Sequence, residues 1–179
     1  MKKDYMYISQ SSYEVIDDFL PPKEFQEIQS SIMNNYSSPY WVYTPNVSGI
    51  GDGDISDNWK YFYMTHVVYN HGMNSSPLFE KMIPILKELD VKALIRIKCN
   101  MYPNSEKVHV HEMHCDEPFS HNGAIFSINT CNGYTKLEDG QTKIDSVANR
   151  VLLFDPSKPH CSTTTSDTTV RMNINFNYF

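Results

Sequence analysis

The chain has 179 residues, seven histidines, four cysteines and a formal net charge of −6, with a pI near 5.6. At 40% hydrophobic and 20% charged residues its composition is globular, and its length supports a core without disulfide or metal staples. The acidic balance argues against a broad nucleic-acid footprint, and no run of about 18 apolar residues offers a membrane span. Met1-Lys2-Lys3-Asp4 leads into a polar stretch without an apolar secretory segment, so one domain over 1–179 and a cytoplasmic location are expected.

In chain order, Tyr5–Ile8 and Tyr13–Ile16 are short strand candidates. Pro21-Pro22 opens a helix whose Phe25, Ile28, Ile32 and Met33 share one face at 3.6-residue spacing. A Gly- and Asp-rich loop, Ser48–Asn58, separates two aromatic strand candidates, Tyr40–Tyr43 and Tyr61–Tyr69. Its stretch Gly49–Asp57 is a candidate lid. Trp41, Trp59 and the tyrosines around them fit a core or sheet face. A second helix is expected from Pro77 to Leu89, with Leu78, Met82, Ile85, Leu86 and Leu89 inward.

From Val91 the pattern becomes a series of short strands with turn signals between them. The candidates are Lys92–Tyr102, Lys107–His114, Gly123–Thr130, Tyr134–Leu137, Thr142–Asp145, Arg150–Phe154 and Val170–Phe179, with turns at Asn132-Gly133 and Asp139-Gly140. This pitch predicts a sandwich or barrel built by residues 91–179 and braced by the helices of residues 1–90. Cys99, Cys115, Cys131 and Cys161 form no CxxC and are expected as free, mostly buried thiols.

The densest ligand chemistry is His109-Val-His-Glu-Met-His-Cys-Asp116. The helical HExxH pattern fails, because His111-Glu112-Met113-His114 is one residue short and Val108 and Val110 favour a strand. A cupin-type HxH from His109 and His111 is weak, since Glu117 stands one residue too far along. In a strand, His114 and Asp116 project together while Cys115 points away. With a distant imidazole they would make a 2-His-1-carboxylate facial set, which leaves three adjacent coordination positions open. The one histidine beyond His121 is His160, after an apolar strand and a proline-marked turn. Arg171 follows on a final strand that alternates cleanly: Val170, Met172, Ile174, Phe176 and Tyr178 on one face, Arg171, Asn173, Asn175 and Asn177 on the other. An arginine there suits a bidentate grip on a carboxylate. Asn100 and Tyr102 form a second polar pair on one face.

The order Asn100-x-Tyr102, His114-x-Asp116, His160, Arg171 resembles the 2-oxoglutarate- and Fe(II)-dependent oxygenases, most closely their small prolyl-hydroxylase-like members of phages and marine bacteria. The resemblance covers about residues 91–179, and Asn129–Thr135 and Asn149–Phe154 reinforce it. It implies a double-stranded β-helix, a distorted jelly roll, with Fe(II) held by His114, Asp116 and His160. It further implies 2-oxoglutarate held by Arg171 and Tyr102, with Asn100 and Asn173 as lesser contacts, and O2 as the second cosubstrate. Because Asp116 is retained where halogenating relatives lose the carboxylate, the implied reaction is hydroxylation of a substrate C–H bond with release of succinate and CO2. The implied substrate is a peptide, protein or small molecule, with a prolyl-like or amino-acid side chain foremost.

Two alternatives stay open. One is an AlkB-type demethylase of nucleic-acid bases, which Asn100-x-Tyr102 and Arg171-x-Asn173 resemble but which carries a second arginine where this chain has Asn177. The other is a non-catalytic jelly-roll binding module. His109 and His111 are expected as exposed or hydrogen-bonded loop residues, with substrate contact the sharper option. His66, His71 and His121 are expected to be structural or superficial, and Arg150 to be a structural hydrogen-bond hub.

Overall fold

The computed structural model describes residues 13–34, 39–47 and 62–179. The Tyr5–Ile8 strand, the Gly49–Asp57 lid and Trp59 lie outside the described residues. Both helices form. α1 (Pro22–Met33) starts where Pro22 supplies the φ that a first helical residue needs, and it ends as Asn34 turns extended. Ile28 and Ile32 are buried and Phe25 packs against the core, but Met33 is exposed, at the frayed end of the expected stripe. α2 (Phe79–Glu88) begins two residues later than expected. Ser76 explains this: its hydroxyl accepts from the Leu78 amide and its carbonyl from the Phe79 amide, so residues 76–78 form the entry turn. Met82, Ile85 and Leu89 are buried as the periodicity requires.

The strands are β1 (Glu14–Ile16), β2 (Val42–Thr44), β3 (Tyr63–Asn70), β4 (Met73–Asn74), β5 (Leu94–Pro103), β6 (Asn122–Ser127), β7 (Tyr134–Lys136), β8 (Lys143–Asp145), β9 (Val151–Phe154) and β10 (Val170–Tyr178). The large sheet runs β1-β9-β6-β10-β5-β3-β2, with β4 on β3, and all its pairs are antiparallel. One expectation fails: Lys107–His114 is not a regular strand. It touches residues 160–164 through isolated bridges, Val110 with Thr163 and His114 with His160, whose registers differ by one residue. That slip breaks the ladder. Cys161 bridges in turn to Lys136 of β7, which pairs with β8. A second, irregular layer results, in the order β8, β7, residues 160–164, residues 109–114.

Taken along the chain, β5 pairs with β10, residues 109–114 with 160–164, β6 with β9, and β7 with β8. First with last, second with seventh and so on inward is a hairpin rolled on itself, the double-stranded β-helix expected from the sequence.

The pleat of β5 and β10 decides what lies where. One face of these strands, with Ile97, Cys99, Met172, Ile174, Phe176 and Tyr178, joins Phe126, Val151 and residues of both helices in the main apolar cluster. The opposite face looks into the space between the two layers. The N-terminal segment is tied to this frame by Asn149, whose side chain accepts from the Leu20 amide and donates to the Leu20 carbonyl. Arg150 is the structural hub expected, with Nε and Nη2 on the Asp17 carboxylate at 2.6 and 2.9 Å. The four cysteines are free, and only Cys115 among them is exposed. No helix among the described residues is long and apolar enough to cross a membrane.

Candidate metal and cosubstrate site

Four cross-strand pairs set the inner face: Arg96 opposite Asn177, Lys98 opposite Asn175, Asn100 opposite Asn173, and Tyr102 opposite Arg171. All eight are polar. The alternation read in β10 is real, but its polar side is not solvated, because the second layer covers it. Arg171 is 1% exposed, Asn173 3% and Asn177 1%.

At one end of this face, His114, Asp116 and His160 bring one donor atom each to within 4.8 Å of one another. His114 Nε2 stands 3.9 Å from Asp116 Oδ1. The paired backbone of His114 and His160, each amide bonded to the other's carbonyl at 2.9 Å, sets the two rings side by side. Both imidazoles bond through Nδ1 to a carbonyl two residues back, His160 to Lys158 at 3.0 Å and His114 to Glu112 at 3.4 Å. A carbonyl fixes the proton on Nδ1 and leaves the Nε2 lone pair facing the centre. His160 Nε2 is buried and has no hydrogen-bond partner. Such orphaned atoms are rare in native proteins, and this one has the chemistry of a metal ligand. Ligand bonds of about 2 Å place adjacent donor atoms about 3 Å apart, so the set would close by roughly 1 Å on an ion.

The charges suit a cation. Burial, with the neighbouring His160, pushes the His114 imidazole down to about 4, and burial lowers His160 as well. Both rings are therefore neutral at neutral pH, as ligands must be. Burial alone would raise Asp116, but Arg96, His160, Lys98 and the Asn177 amide together hold it at about 2. Arg96 Nη2 lies 2.9 Å from Oδ1, and Asn177 Nδ2 donates to Oδ2 at 3.1 Å. The Arg96 N–H vectors are not aimed at the oxygen, so this contact is an ion pair more than a directed hydrogen bond.

At the other end lies Arg171. Nε donates to Ser146 Oγ at 2.6 Å, Nη1 to the Thr163 carbonyl at 3.1 Å and Nη2 to Thr135 Oγ1 at 3.0 Å. Its guanidinium lies over the Tyr102 ring, 5.2 Å from the centroid. The groups that raise its charge preference are Tyr102, Cys131 and Cys161, and among the described residues no carboxylate pairs with it. A wholly buried cation without a counter-ion is costly unless a ligand supplies one. Gly133 makes room for it: a Cβ there would meet Arg171 Cδ at 2.6 Å and the Thr164 carbonyl at 2.7 Å. Tyr102 is buried and lines the same wall as Ser162 and Asn173, and Asn100 Nδ2 donates to Asn173 Oδ1 at 2.9 Å.

A narrow cleft joins the two ends, lined by Tyr63, Lys98, Tyr102, His114, His160 and Asn175, among others. The structure thus brings together His114, Asp116, His160, Tyr102, Asn173 and, one layer back, Arg171 and Asn100. Sequence reading passed over Arg96, Lys98, Asn175 and Tyr63. Their signal was present: Arg96 and Lys98 continue the two-residue rhythm of Asn100 and Tyr102 along β5.

Of the other histidines, His111 is buried, with Nδ1 2.8 Å from Ser162 Oγ and its ring 5.4 Å from that of Tyr102. It is hydrogen-bonded rather than exposed. His66 is structural, held between the Tyr40 carbonyl and Ser76.

No family model and no curated protein sequence matches the chain. Solved structures do. A prolyl hydroxylase from Trichoplax adhaerens, in complex with a hypoxia inducible factor peptide fragment, superposes with a TM-score of 0.64 at 16% identity, over 93% of this chain and 83% of its own. A 2OG-Fe(II) oxygenase family oxidoreductase from Burkholderia pseudomallei gives 0.66 at 11% identity, over 93% and 84%. The chain has the fold of the 2-oxoglutarate/Fe(II) oxygenases. A third structure, the non-heme alpha ketoglutarate dependent epimerase of nogalamycin biosynthesis, gives 0.67 at 13% identity over 95% and 78%, so this oxygenase fold carries more than one reaction outcome.

Proposed function

We propose that the protein is an Fe(II)- and 2-oxoglutarate-dependent dioxygenase that hydroxylates a C–H bond of a substrate, with release of succinate and CO2. The observation that carries this is the convergence of His114, Asp116 and His160, with a buried, unpartnered Nε2 on His160. Two imidazoles and one carboxylate leave positions open for cosubstrate and O2, as a non-haem Fe(II) site requires. Arg171, buried without a carboxylate partner among the described residues, supplies the second half: a cation able to take the far carboxylate of 2-oxoglutarate.

Bound iron with 2-oxoglutarate would supply the oxidising power, with one oxygen atom of O2 entering succinate and the other the substrate. The chain's residues do the rest. The backbone carbonyls of Lys158 and Glu112 keep the two imidazoles in the ligand tautomer. Arg96 and Asn177 fix the Asp116 carboxylate and keep it ionised. Ser146, Thr135 and the Thr163 carbonyl hold the Arg171 plane, while Tyr102 adds a hydroxyl beside it. The two layers exclude bulk water, which strengthens each of these interactions. An amino-acid or peptidyl side chain is the substrate class in keeping with the prolyl hydroxylase among the structural neighbours. The Asn177 amide, in place of a second arginine, sets the site apart from the base-demethylating branch.

The test is turnover of 2-oxoglutarate in air. The wild-type protein with Fe(II) is expected to form succinate slowly without added substrate. Arg171→Met should raise the KM for 2-oxoglutarate about a hundredfold, the loss of a charge-assisted bidentate contact, with metal affinity unchanged. Absence of succinate, or an Arg171→Met variant with wild-type KM, overturns the proposal.

A further inference from the structure

Beyond the distant charge of Lys98 on Asp116, two cleft residues have no task in the reading above. Lys98 and Asn175 are directly opposed on β5 and β10, one pair nearer the metal ligands than Asn100 and Asn173. Both line the cleft with His114 and His160. Lys98 is half-buried, and no carboxylate among the described residues forms an ion pair with it; its Nζ lies over the Tyr63 ring, 5.7 Å from the centroid. Among the described residues Asp116 is the one carboxylate acting on it, and Arg96 already engages that group. Asn175 Oδ1 is buried and accepts no hydrogen bond. An ammonium without an ion-pair partner and an amide oxygen without a donor, side by side in the cleft, are an expense to the fold that a ligand would offset.

The partner that fits is not the cosubstrate, whose distal carboxylate belongs with Arg171 at the far end of the face. We propose that Lys98 and Asn175 form a substrate subsite for a free α-amino or α-imino acid, with the carboxylate on Lys98 and the amino or imino N–H on Asn175 Oδ1. Turned over, the same amide gives N–H to a carboxylate oxygen, so either orientation serves a zwitterion. An interior peptide residue has neither a free carboxylate nor a charged nitrogen and would leave Lys98 unpaired. Tyr63 and Ile125 supply the flatter, apolar walls of the same cleft.

This inference rests on the dioxygenase reading, and the experiment separates the two. Protein loaded with Zn(II) and 2-oxoglutarate, which cannot turn over, is titrated calorimetrically with each of the twenty free L-amino acids and with their carboxamides. At least one free acid is expected to bind, and its carboxamide to bind at least about tenfold more weakly. Lys98→Met should weaken the free acid by about tenfold or more and leave 2-oxoglutarate affinity within about twofold; Lys98→Arg should retain binding, and Asn175→Ala should weaken it severalfold. If 2-oxoglutarate itself does not bind, the dioxygenase reading falls and takes the subsite with it. If it binds but no free amino acid does, or the carboxamides bind equally well, the subsite alone is wrong. A Lys98→Met variant that loses 2-oxoglutarate affinity instead would reassign Lys98 to the cosubstrate.

Discussion

β5 and β10 present two faces that both lie inside the molecule and are chemically opposite. Toward the helices stand Ile97, Cys99, Met172, Ile174 and Phe176; toward the second layer stand Arg96, Lys98, Asn100, Tyr102, Arg171, Asn173, Asn175 and Asn177. The apolar face stabilises the fold by burial alone. The polar face gains little from folding, because each group trades water for a protein partner and some find none. A small domain retains such a face when ligands complete it. The comparison teaches that burial by itself does not separate core from site; partner satisfaction does.

The apolar face is broken most severely at Phe126. Its ring meets Phe19 and Phe25 at centroid distances of 6.0 and 5.9 Å and is fully buried. Phe126→Ala is expected to cost about 3–5 kcal/mol of unfolding free energy in denaturant titration. Metal binding should persist at temperatures where the variant is folded.

On the polar side, burial and the Arg171 charge hold the His111 imidazole down at about 3. The unfolded chain takes up that proton near 6.5. The stability due to neutral His111 is therefore complete above pH 6.5 and is lost as pH falls from there toward 3, by a total of about 4 kcal/mol. A stability profile of the metal-free protein should show this slope on top of that of His114 and His160, and His111→Asn should make it shallower. An unchanged profile would mean that His111 is not held neutral by the fold.

The smallest expected effect is the most local. Gly133→Ala places a methyl against Arg171 Cδ and the Thr164 carbonyl. It should cost about 1–3 kcal/mol in stability and raise the KM for 2-oxoglutarate, while Gly140→Ala, where nothing crowds the added methyl, should leave that KM unchanged. Equal KM effects from the two would show that Gly133 does not shape the arginine's seat.

Much of this division is visible in the sequence. The alternation of residues 170–178 predicts both faces of β10, and the apolar spacing of both helices predicts what packs on one of them. The HxD pair, His160 and Arg171 are legible because each sits beside a strand or turn signal. What is not legible is of two kinds. Whether the asparagine face of β10 meets water or a second layer depends on residues 109–114 and 160–164, whose slipped, isolated bridges carry no alternation to read. Cys115 does point outward, but a pair of backbone bonds between His114 and His160 places it there, not a continuous strand. Arg96, Lys98 and Asn175 were hidden differently. Their rhythm is plain, yet charged residues on a strand ordinarily mark its solvated side, and only the covering layer reveals them as interior.

The most direct test of the central claim is spectroscopic. Without oxygen, Fe(II) and 2-oxoglutarate added to the wild-type protein should produce the visible charge-transfer band of a chelated 2-oxo acid. His160→Ala should abolish it, and Ile174→Val, on the opposite face of β10, should retain it. A wild-type protein that binds no metal and shows no band, or a band that survives the loss of His160, would contradict the account.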